Sequence, residues 1–529
     1  MRESGSERGR PEPQLRRAGD RTPLGRVIGR IEVTWGTGEY AHAAELLEED
    51  FLAAWYGFSP ERFAEIISTL VRDGGAATPL LLIANSAFSP DGMAGLAAAD
   101  GFPGVDVGDS GEESVVGPAA AMLVAQMFAL RMQGRATEAM DVSAELERRF
   151  GSIRPIFDSL RGWGLFSSVQ NGITAMLAGD FRAAIESFTQ ARMHALYPPL
   201  AFLTRDACVK MAILEALYGS AEQARILLDR ADEVPRTESW AEEVVDAGQA
   251  IAASIVRADD PAEALRMLDA VPLRAIGEIW PFYASALQRA CLLAGDLDEA
   301  QRRLEVIERL PLPRVEGQGY AGSALLLGGA RRSIMYGDLV EARERLERAD
   351  GSIAVTRLLI AALELVAGRP REALKHAVGL HEETRHLRVL EMRRLAVISG
   401  SHLALGSPDD CREVLQFALR QSGGVRPDEV LCFPAEVRRF AEELFEEWPR
   451  PEADSPAHLD IFLDSATALT DRELEVLREL AAGLSREQIA RAQFISINTL
   501  KAHLRAVYRK LGVNSRAGAV LEAERRGLI

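Results

Sequence analysis

Residues 179–191 read Gly179-Asp180-Phe181-Arg182-Ala183-Ala184-Ile185-Glu186-Ser187-Phe188-Thr189-Gln190-Ala191. A glycine opens the stretch, a small residue follows five positions later, and Phe188 and Ala191 come four and seven beyond that. Glycine permits the left-handed cap that reverses a chain leaving a helix. The small residue lets the next helix lie close against the previous one, and the apolar positions form a stripe for a further neighbour. The same grammar recurs from Gly134 to Ala139, from Gly219 to Ala224, Leu228 and Ala231, and from Gly295 to Ala300 and Leu304. It continues from Gly337 to Ala342, Leu346 and Ala349, from Gly368 to Ala373, and from Gly406 to Cys411, Leu415 and Ala418, while Asp259 replaces the glycine before Ala264 and Leu268. The small positions 139, 184, 224, 264, 300, 342, 373 and 411 have a mean step of about 39 residues. No single hairpin buries its own stripe, so neighbours must stack into a solenoid with a concave surface.

Residues 179–191 resemble the second half of a tetratricopeptide repeat, although the step here is longer and less regular than the strict period of about 34. A weaker copy, Gly38-Glu39-Tyr40-Ala41-His42-Ala43 with Leu47, starts the array near residue 25. Between Ser89 and Gly117 the pattern lapses into Gly, Pro and Asp, the composition of a loop or inserted connection. The array ends near Phe445, where Trp448-Pro449-Arg450-Pro451-Glu452-Ala453-Asp454-Ser455-Pro456 has linker composition. The expected division is a disordered tail at 1–22, a tetratricopeptide-like repeat domain at 23–445, a linker at 446–466 and a second domain at 467–529.

Composition agrees with an all-α fold. The 529 residues are 47% hydrophobic, 26% charged and 6% aromatic, a mixture rich in helix formers and too apolar for wholesale disorder. Cys208, Cys291, Cys411 and Cys432 are too widely spaced for a CxxC pair or a tight disulfide framework, which suits a reducing cytoplasm. The nearly uncharged stretches around 76–88 and 116–130 are shorter than a membrane-spanning helix requires. The first 22 residues carry six Arg against four acids without a following apolar core, so no secretory signal is expected.

Charge is divided unevenly. The net charge of −17 argues against nucleic acid when taken whole, yet residues 470–529 carry eleven Lys or Arg against seven Asp or Glu, a local +4. The rest of the chain is then −21. A small basic module on a large acidic body is the first functional indication. The acidic body is also expected to repel DNA and hold the module in check.

The module reads LTDRELEVLRELAAGLSREQIARAQFISINTLKAHLRAVYRKLGVNSRAGAVLEAERRGLI from Leu469. Thr470 with Glu473, and Ser485 with Gln488, are capping-box pairs; Ser496 precedes a long periodic run, and Ser515 follows Gly512. Helices near 486–493 and 497–511 are joined by a short turn, which is helix-turn-helix spacing. Ile497, Leu500, Leu504, Val507 and Leu511 should pack on Leu474, Leu477, Leu480 and Ile489. Asn498, Lys501, Arg505 and Arg509 share another face, and their helix contains no acid. Such a face suits entry into the major groove, with Ala502 small enough for close approach to base edges. The bland alternative is an ordinary solvated face, and His503 reads equally as a phosphate contact or a packing residue.

The module resembles the LuxR-type (NarL/FixJ-type) helix-turn-helix. The resemblance rests on Leu469-Thr470-x-Arg472-Glu473-x-Glu475-Val476-Leu477, Gly483-Leu484-Ser485 with Ile489-Ala490, Ile495-Ser496-x-x-Thr499-Leu500-Lys501-x-His503-Leu504, and Tyr508-x-Lys510-Leu511-Gly512-Val513-x-Ser515-Arg516. It implies base contacts from Lys501, Ala502 and Arg505, and backbone contacts from Thr499, Lys510 and the neighbouring Ser496, Asn498, Arg509, Ser515 and Arg516. It also implies dimerisation through the last helix, with Leu521 as interface candidate, and hence double-stranded DNA carrying an inverted repeat as partner. Gln493-Phe494 in place of the usual Leu-Phe, and Asn514 where a base is frequent, depart from the pattern.

The expected function is a cytoplasmic, bacterial, sequence-specific transcriptional regulator with RNA polymerase as a candidate partner. Its repeats would sense an unknown small molecule, peptide or protein. The alternative is a protein-interaction scaffold tethered to DNA. The four lysines, Lys210, Lys375, Lys501 and Lys510, are followed by Met211, His376, Ala502 and Leu511, so no P-loop GxxxxGK[ST] is present. His376, His381 and His386 fall at steps of five and do not share a helix face. No catalytic residue, metal or cofactor is expected.

Overall fold

The computed structural model describes residues 22–73, 78–87, 118–150, 161–257, 260–294, 297–335, 338–450, 471–511, 513, 515–525 and 529. The expected tail, the 89–117 connection, most of the linker, and Gly295, Gly337, Thr470, Gly512 and Asn514 lie outside them. Every regular element among the described residues is helical. The N-terminal helices are α1 (Pro23–Gly36), α2 (Tyr40–Glu49), α3 (Phe51–Gly57), α4 (Pro60–Asp73), α5 (Pro79–Ala87), α6 (Pro118–Met132) and α7 (Ala136–Phe150). The middle of the array holds α8 (Trp163–Ala178), α9 (Phe181–Met193), α10 (Ala201–Tyr218), α11 (Ala221–Glu233), α12 (Glu242–Val256), α13 (Pro261–Asp269), α14 (Leu273–Ile276), α15 (Trp280–Leu293) and α16 (Leu297–Glu308). It continues through α17 (Gly319–Met335), α18 (Leu339–Arg348), α19 (Ala354–Val366), α20 (Pro370–Ala377), α21 (His381–Thr384), α22 (Arg388–Ala404), α23 (Pro408–Leu419) and α24 (Ala435–Leu444). Sequential helices pack as hairpins, and each hairpin packs on the next: α8 on both α7 and α9, α10 on α11 and α12, α17 on α15 and α18. This is a tetratricopeptide-like helical solenoid.

The eight small positions are buried without exception, from Ala139, Ala184 and Ala224 at 0% exposure to Ala264 at 2%. Gly134, Gly179, Gly368 and Gly406 take the expected left-handed conformation, with φ between 73° and 91°. Gly219 does not, at φ −111° and ψ −122°. There the Glu215 carboxylate accepts the Ser220 backbone N–H at 2.9 Å and closes the reversal instead. The following stripe also shifts by one residue: Leu227 is fully buried and Leu228 only half-buried, because the chain steps three and then four from Ala224 to Ala231. Asp180, Asp260 and Asp338 cap α9, α13 and α18 by accepting the N–H of the third helical residue at 2.9–3.1 Å.

The interior of the solenoid is filled. All sixteen residues of α8 are buried, and α8 packs across the axis on α17 as well as on its sequence neighbours; α10 likewise reaches α22. Small residues permit the approach, since Gly319 lies so close to α8 that a Cβ there would sit 3.0 Å from the Ala178 Cα and the Leu177 carbonyl. Phe181, Tyr218, Phe282 and Tyr320, from four different hairpins, form one aromatic cluster; Phe181 stacks on Tyr218 and Phe282 on Tyr320, each at 4.9 Å. Around α8 the expected open concave surface is therefore replaced by packed side chains.

Charges enter that centre in pairs. Arg131 binds Glu278 and Gln170, Arg205 binds Glu242, and Lys210 binds Asp206, with Arg131, Arg205, Lys210, Asp206 and Glu242 all buried. Burial pushes the Glu391 carboxyl up, but hydrogen bonds from Arg394 and Thr384 outweigh it and hold the group below the ordinary carboxylate range. These acids are inward because each brings a partner that offsets desolvation.

Burial does not stop at Phe445: Trp448 is 5% exposed and meets Phe433 edge-on at 5.3 Å. The small-residue rule makes a direct prediction. Ala184→Leu overpacks the α8–α9 contact and should lower stability by about 1–3 kcal/mol, whereas Thr189→Leu, exposed on the same helix, should stay within about 0.5 kcal/mol. Denaturant unfolding followed by circular dichroism measures both.

Candidate nucleic-acid interface

Four further helices form a separate core: α25 (Asp471–Ala481), α26 (Arg486–Ala492), α27 (Ile497–Leu511) and α28 (Arg516–Arg525). Val476, Leu477 and Leu480 of α25, Ile489 of α26, Leu500, Leu504, Val507 and Leu511 of α27, and Ala519 and Ala523 of α28 are all buried together. Ile497 departs from the expected packing face, being 37% exposed in the first turn of α27. Ala506 is fully buried and His503 is 5% exposed, so the inner stripe of α27 is wider than the apolar residues alone indicated. His503 thus lies on the packing side of α27.

The turn between α26 and α27 is fixed by local bonds. Ser485 and Gln488 form the expected capping box, with Gln488 N–H donating to Ser485 Oγ at 3.2 Å and Ser485 N–H to Gln488 Oε1 at 2.8 Å. The Glu487 carboxyl is held below its ordinary range by its own backbone N–H and then by the Ser485 hydroxyl, as a helix N-terminus favours negative charge. Gln493 ends α26, donates to Glu479 at 2.6 Å, and its carbonyl accepts from Arg472 at 2.5 Å. Phe494 then adopts φ 53° and is 97% exposed. The polar Gln493 therefore serves the core through hydrogen bonds where an apolar residue is usual. Sequence reasoning had no signal for Phe494, since a left-handed turn residue is ordinarily Gly or Asn.

Ser496 caps α27, accepting the Thr499 N–H at 3.0 Å, with the two hydroxyls 2.8 Å apart. Asn498, Lys501 and Arg505 are exposed, at steps that place them on one side of the helix. Arg505 is additionally paired with Asp338, the α18 cap in the repeat array, at 2.5 Å. Ala502, Arg509 and Lys510 lie within α27, and their side-chain surroundings lie outside the described residues. Ser515 caps α28 by accepting the Gly518 N–H at 3.1 Å. Arg516 donates to the Leu480 carbonyl at 2.7 Å and so ties α28 to α25. Leu521 is 70% exposed on α28.

A long helix with one side in a core and the opposite side carrying Asn498, Lys501 and Arg505 without an acid is shaped to meet phosphates and base edges. Among the described residues, no group of His, Cys, Asp and Glu could hold a metal ion, and His381 faces Glu391 at 3.0 Å. No helix of the described residues is long and apolar enough to cross a membrane.

Comparison with known proteins agrees with this geometry. The family described as bacterial regulatory proteins, luxR family, matches residues 467–523. The nitrate/nitrite response regulator protein homolog of Haemophilus influenzae is 53% identical over 64 residues, 12% of this chain and 29% of the relative. The nitrate/nitrite response regulator protein NarP of Escherichia coli is 51% identical over 65 residues, 12% of this chain and 30% of the relative. A candidate HTH-type transcriptional regulator of Mycobacterium tuberculosis, Rv0890c, is 28% identical over 177 residues, 31% of this chain and 18% of the relative. The chain thus spans less than a third of these relatives' own length. A solved structure, the APC/C hetero-tetramer Cut9–Hcn1, aligns with 96% of this chain and 91% of its own at 12% identity, but its TM-score of 0.36 is too low to define the fold. Residues 467–523 of this helical-repeat chain are a domain of the luxR family of bacterial regulatory proteins.

Proposed function

We propose that the chain is a sequence-specific DNA-binding transcriptional regulator organised as a repeat domain at 23–445, a linker at 446–466 and a DNA-binding domain at 467–529. The observation that carries this reading is the exposed, acid-free side of α27, backed by a core that holds its orientation. Lys501 and Arg505 read base edges in the major groove, and Ala502 allows the helix to approach. Ser496, Asn498, Thr499, Arg509, Lys510, Ser515 and Arg516 are assigned to the phosphate backbone, with Arg516 sharing that role with its bond to Leu480. Leu521 pairs two copies on an inverted repeat. RNA polymerase is the downstream partner, the cell interior is the compartment, and no catalytic residue is assigned. The repeat domain responds to an effector. The fully buried α8 favours a discrete ligand site over a broad scaffold surface, since that inner helix is not free to receive a partner.

The Arg505–Asp338 pair supports the idea that the acidic body competes with DNA for this face. An exposed pair contributes about 0–1 kcal/mol, so the competition it supplies is modest. Asp338→Asn retains a capping side chain and should tighten DNA binding by up to about fivefold at low salt; unchanged or weaker binding would count against masking through this contact.

The main test is selection of bound DNA from a random pool, followed by fluorescence anisotropy on the enriched site. The wild type should enrich an inverted repeat, and Lys501→Ala with Arg505→Ala should lose at least about tenfold in affinity, given about 1–3 kcal/mol per bidentate base contact. Equal affinity in the folded double variant would remove the base-reading assignment.

A further inference from the structure

Near the N-terminal end of the array the helices leave a cleft, open to solvent, with a cavity volume of about 140 Å³. Its walls follow helical spacing. One side of α5 contributes Leu80, Ile83, Ala84 and Ala87, at steps of 3, 1 and 3, and one side of α6 contributes Ala121, Val124, Ala125 and Phe128, at the same steps. Ala84, Ala87, Ala121 and Ala125 leave room between two helices that face each other. Aromatic rings close the remaining sides: Phe51 and Trp55 from α3, and Trp163 from the start of α8. Phe51 stacks on Trp163 at 6.2 Å, and Trp55 meets Phe128 edge-on at 5.4 Å. Met132, 49% exposed, also lines it.

Among the described residues no charged side chain lines this cleft, although the chain around it is acidic and rich in ion pairs. The nearest charge on α6, Arg131, turns to Glu278 and Gln170. The Trp55 carbonyl is also occupied, accepting from Trp240 Nε1 at 3.1 Å. An anion or a zwitterion would therefore enter without a partner and lose its hydration, whereas a neutral apolar molecule loses nothing and gains the aromatic walls. The volume is close to that of apolar cavities that take up a benzene-sized molecule.

We infer that this cleft binds a small, uncharged, predominantly apolar ligand, aromatic or branched-aliphatic, and that it is the effector site of the repeat domain. The second half of that statement rests on the regulator reading above; the first does not. Occupancy would fix α5 and α6 against α3 and α8. Through the Arg131–Glu278 pair, which joins α6 to a segment 147 residues away, it would reach the next coil of the solenoid.

The test is titration of the full chain with N-phenyl-1-naphthylamine, a neutral apolar fluorophore, beside the anionic 8-anilinonaphthalene-1-sulfonate. The expected result is saturable binding of the neutral probe at one site per chain, with tryptophan quenching, and at least about tenfold weaker binding of the anion. Ala84→Leu/Ala125→Leu, which fills the cleft, should weaken the neutral probe at least about tenfold while the melting temperature holds or rises. Met132→Lys, placing a charge on an exposed lining residue, should weaken it without touching the core. Absence of saturable binding, equal binding of the anion, or wild-type binding by either variant in its folded form overturns the proposal. DNA is absent from this assay, so its failure leaves the DNA-reading assignment intact. The Lys501→Ala/Arg505→Ala chain should bind the probe as the wild type does.

Discussion

One small buried residue in the second helix of each hairpin sets how near two helices come, and the rest of the array depends on that distance. At 139, 184, 224, 264, 300, 342, 373 and 411 the residue is Ala or Cys, and each is sealed from solvent. Close packing within hairpins allows close stacking between them, and glycines on the inner helices extend the same economy of volume across the axis. The result is a solenoid whose centre holds side chains instead of solvent. Inner helices such as α8 are apolar or neutral on every side because every side meets protein.

That closure changes what the buried charges mean. In an open solenoid Arg131, Arg205 and Lys210 would line a groove. Here they are joined to Glu278, Glu242 and Asp206; the first two pairs hold separate hairpins together, and the third lies within α10. Removing one partner of such a pair costs more than the pair contributes, because the other charge is left buried. The centre is therefore demanding about sequence, while the outer faces, with their exposed Arg–Glu pairs, are tolerant. The cleft near Trp55 and Trp163 stands apart from both, being apolar and uncharged within an acidic chain.

Much of this was legible in the sequence because it depends on local rules. Helix starts at Ser485 and Ser496, the inner stripe of α27 from Leu500 to Leu511 and the small positions of the repeats all follow from periodicity and capping. What escaped depended on long-range geometry. Gly219 is relieved of its left-handed role by Glu215, and Leu227 displaces Leu228 by one step of a helix. Ile497 turns outward because it sits in the first turn, ahead of the core. The filled centre could not be read from repeat spacing, since spacing fixes the neighbour but not the curvature of the whole. Arg505 and Arg516 show the same limit: both are cationic residues of the C-terminal domain, yet one meets Asp338 and the other the Leu480 carbonyl.

The central claim is that the exposed side of α27 enters the major groove of DNA as part of a two-fold assembly. Dimethyl sulfate footprinting on a site enriched from a random pool tests it most directly, because the reagent methylates guanine N7 in the major groove and adenine N3 in the minor groove. The account predicts symmetric protection of guanine N7 in two half-sites about 10 base pairs apart or a multiple of that spacing, with adenine N3 left reactive at the same positions. Protection confined to adenine N3, or no protection on DNA that is demonstrably bound, would contradict it.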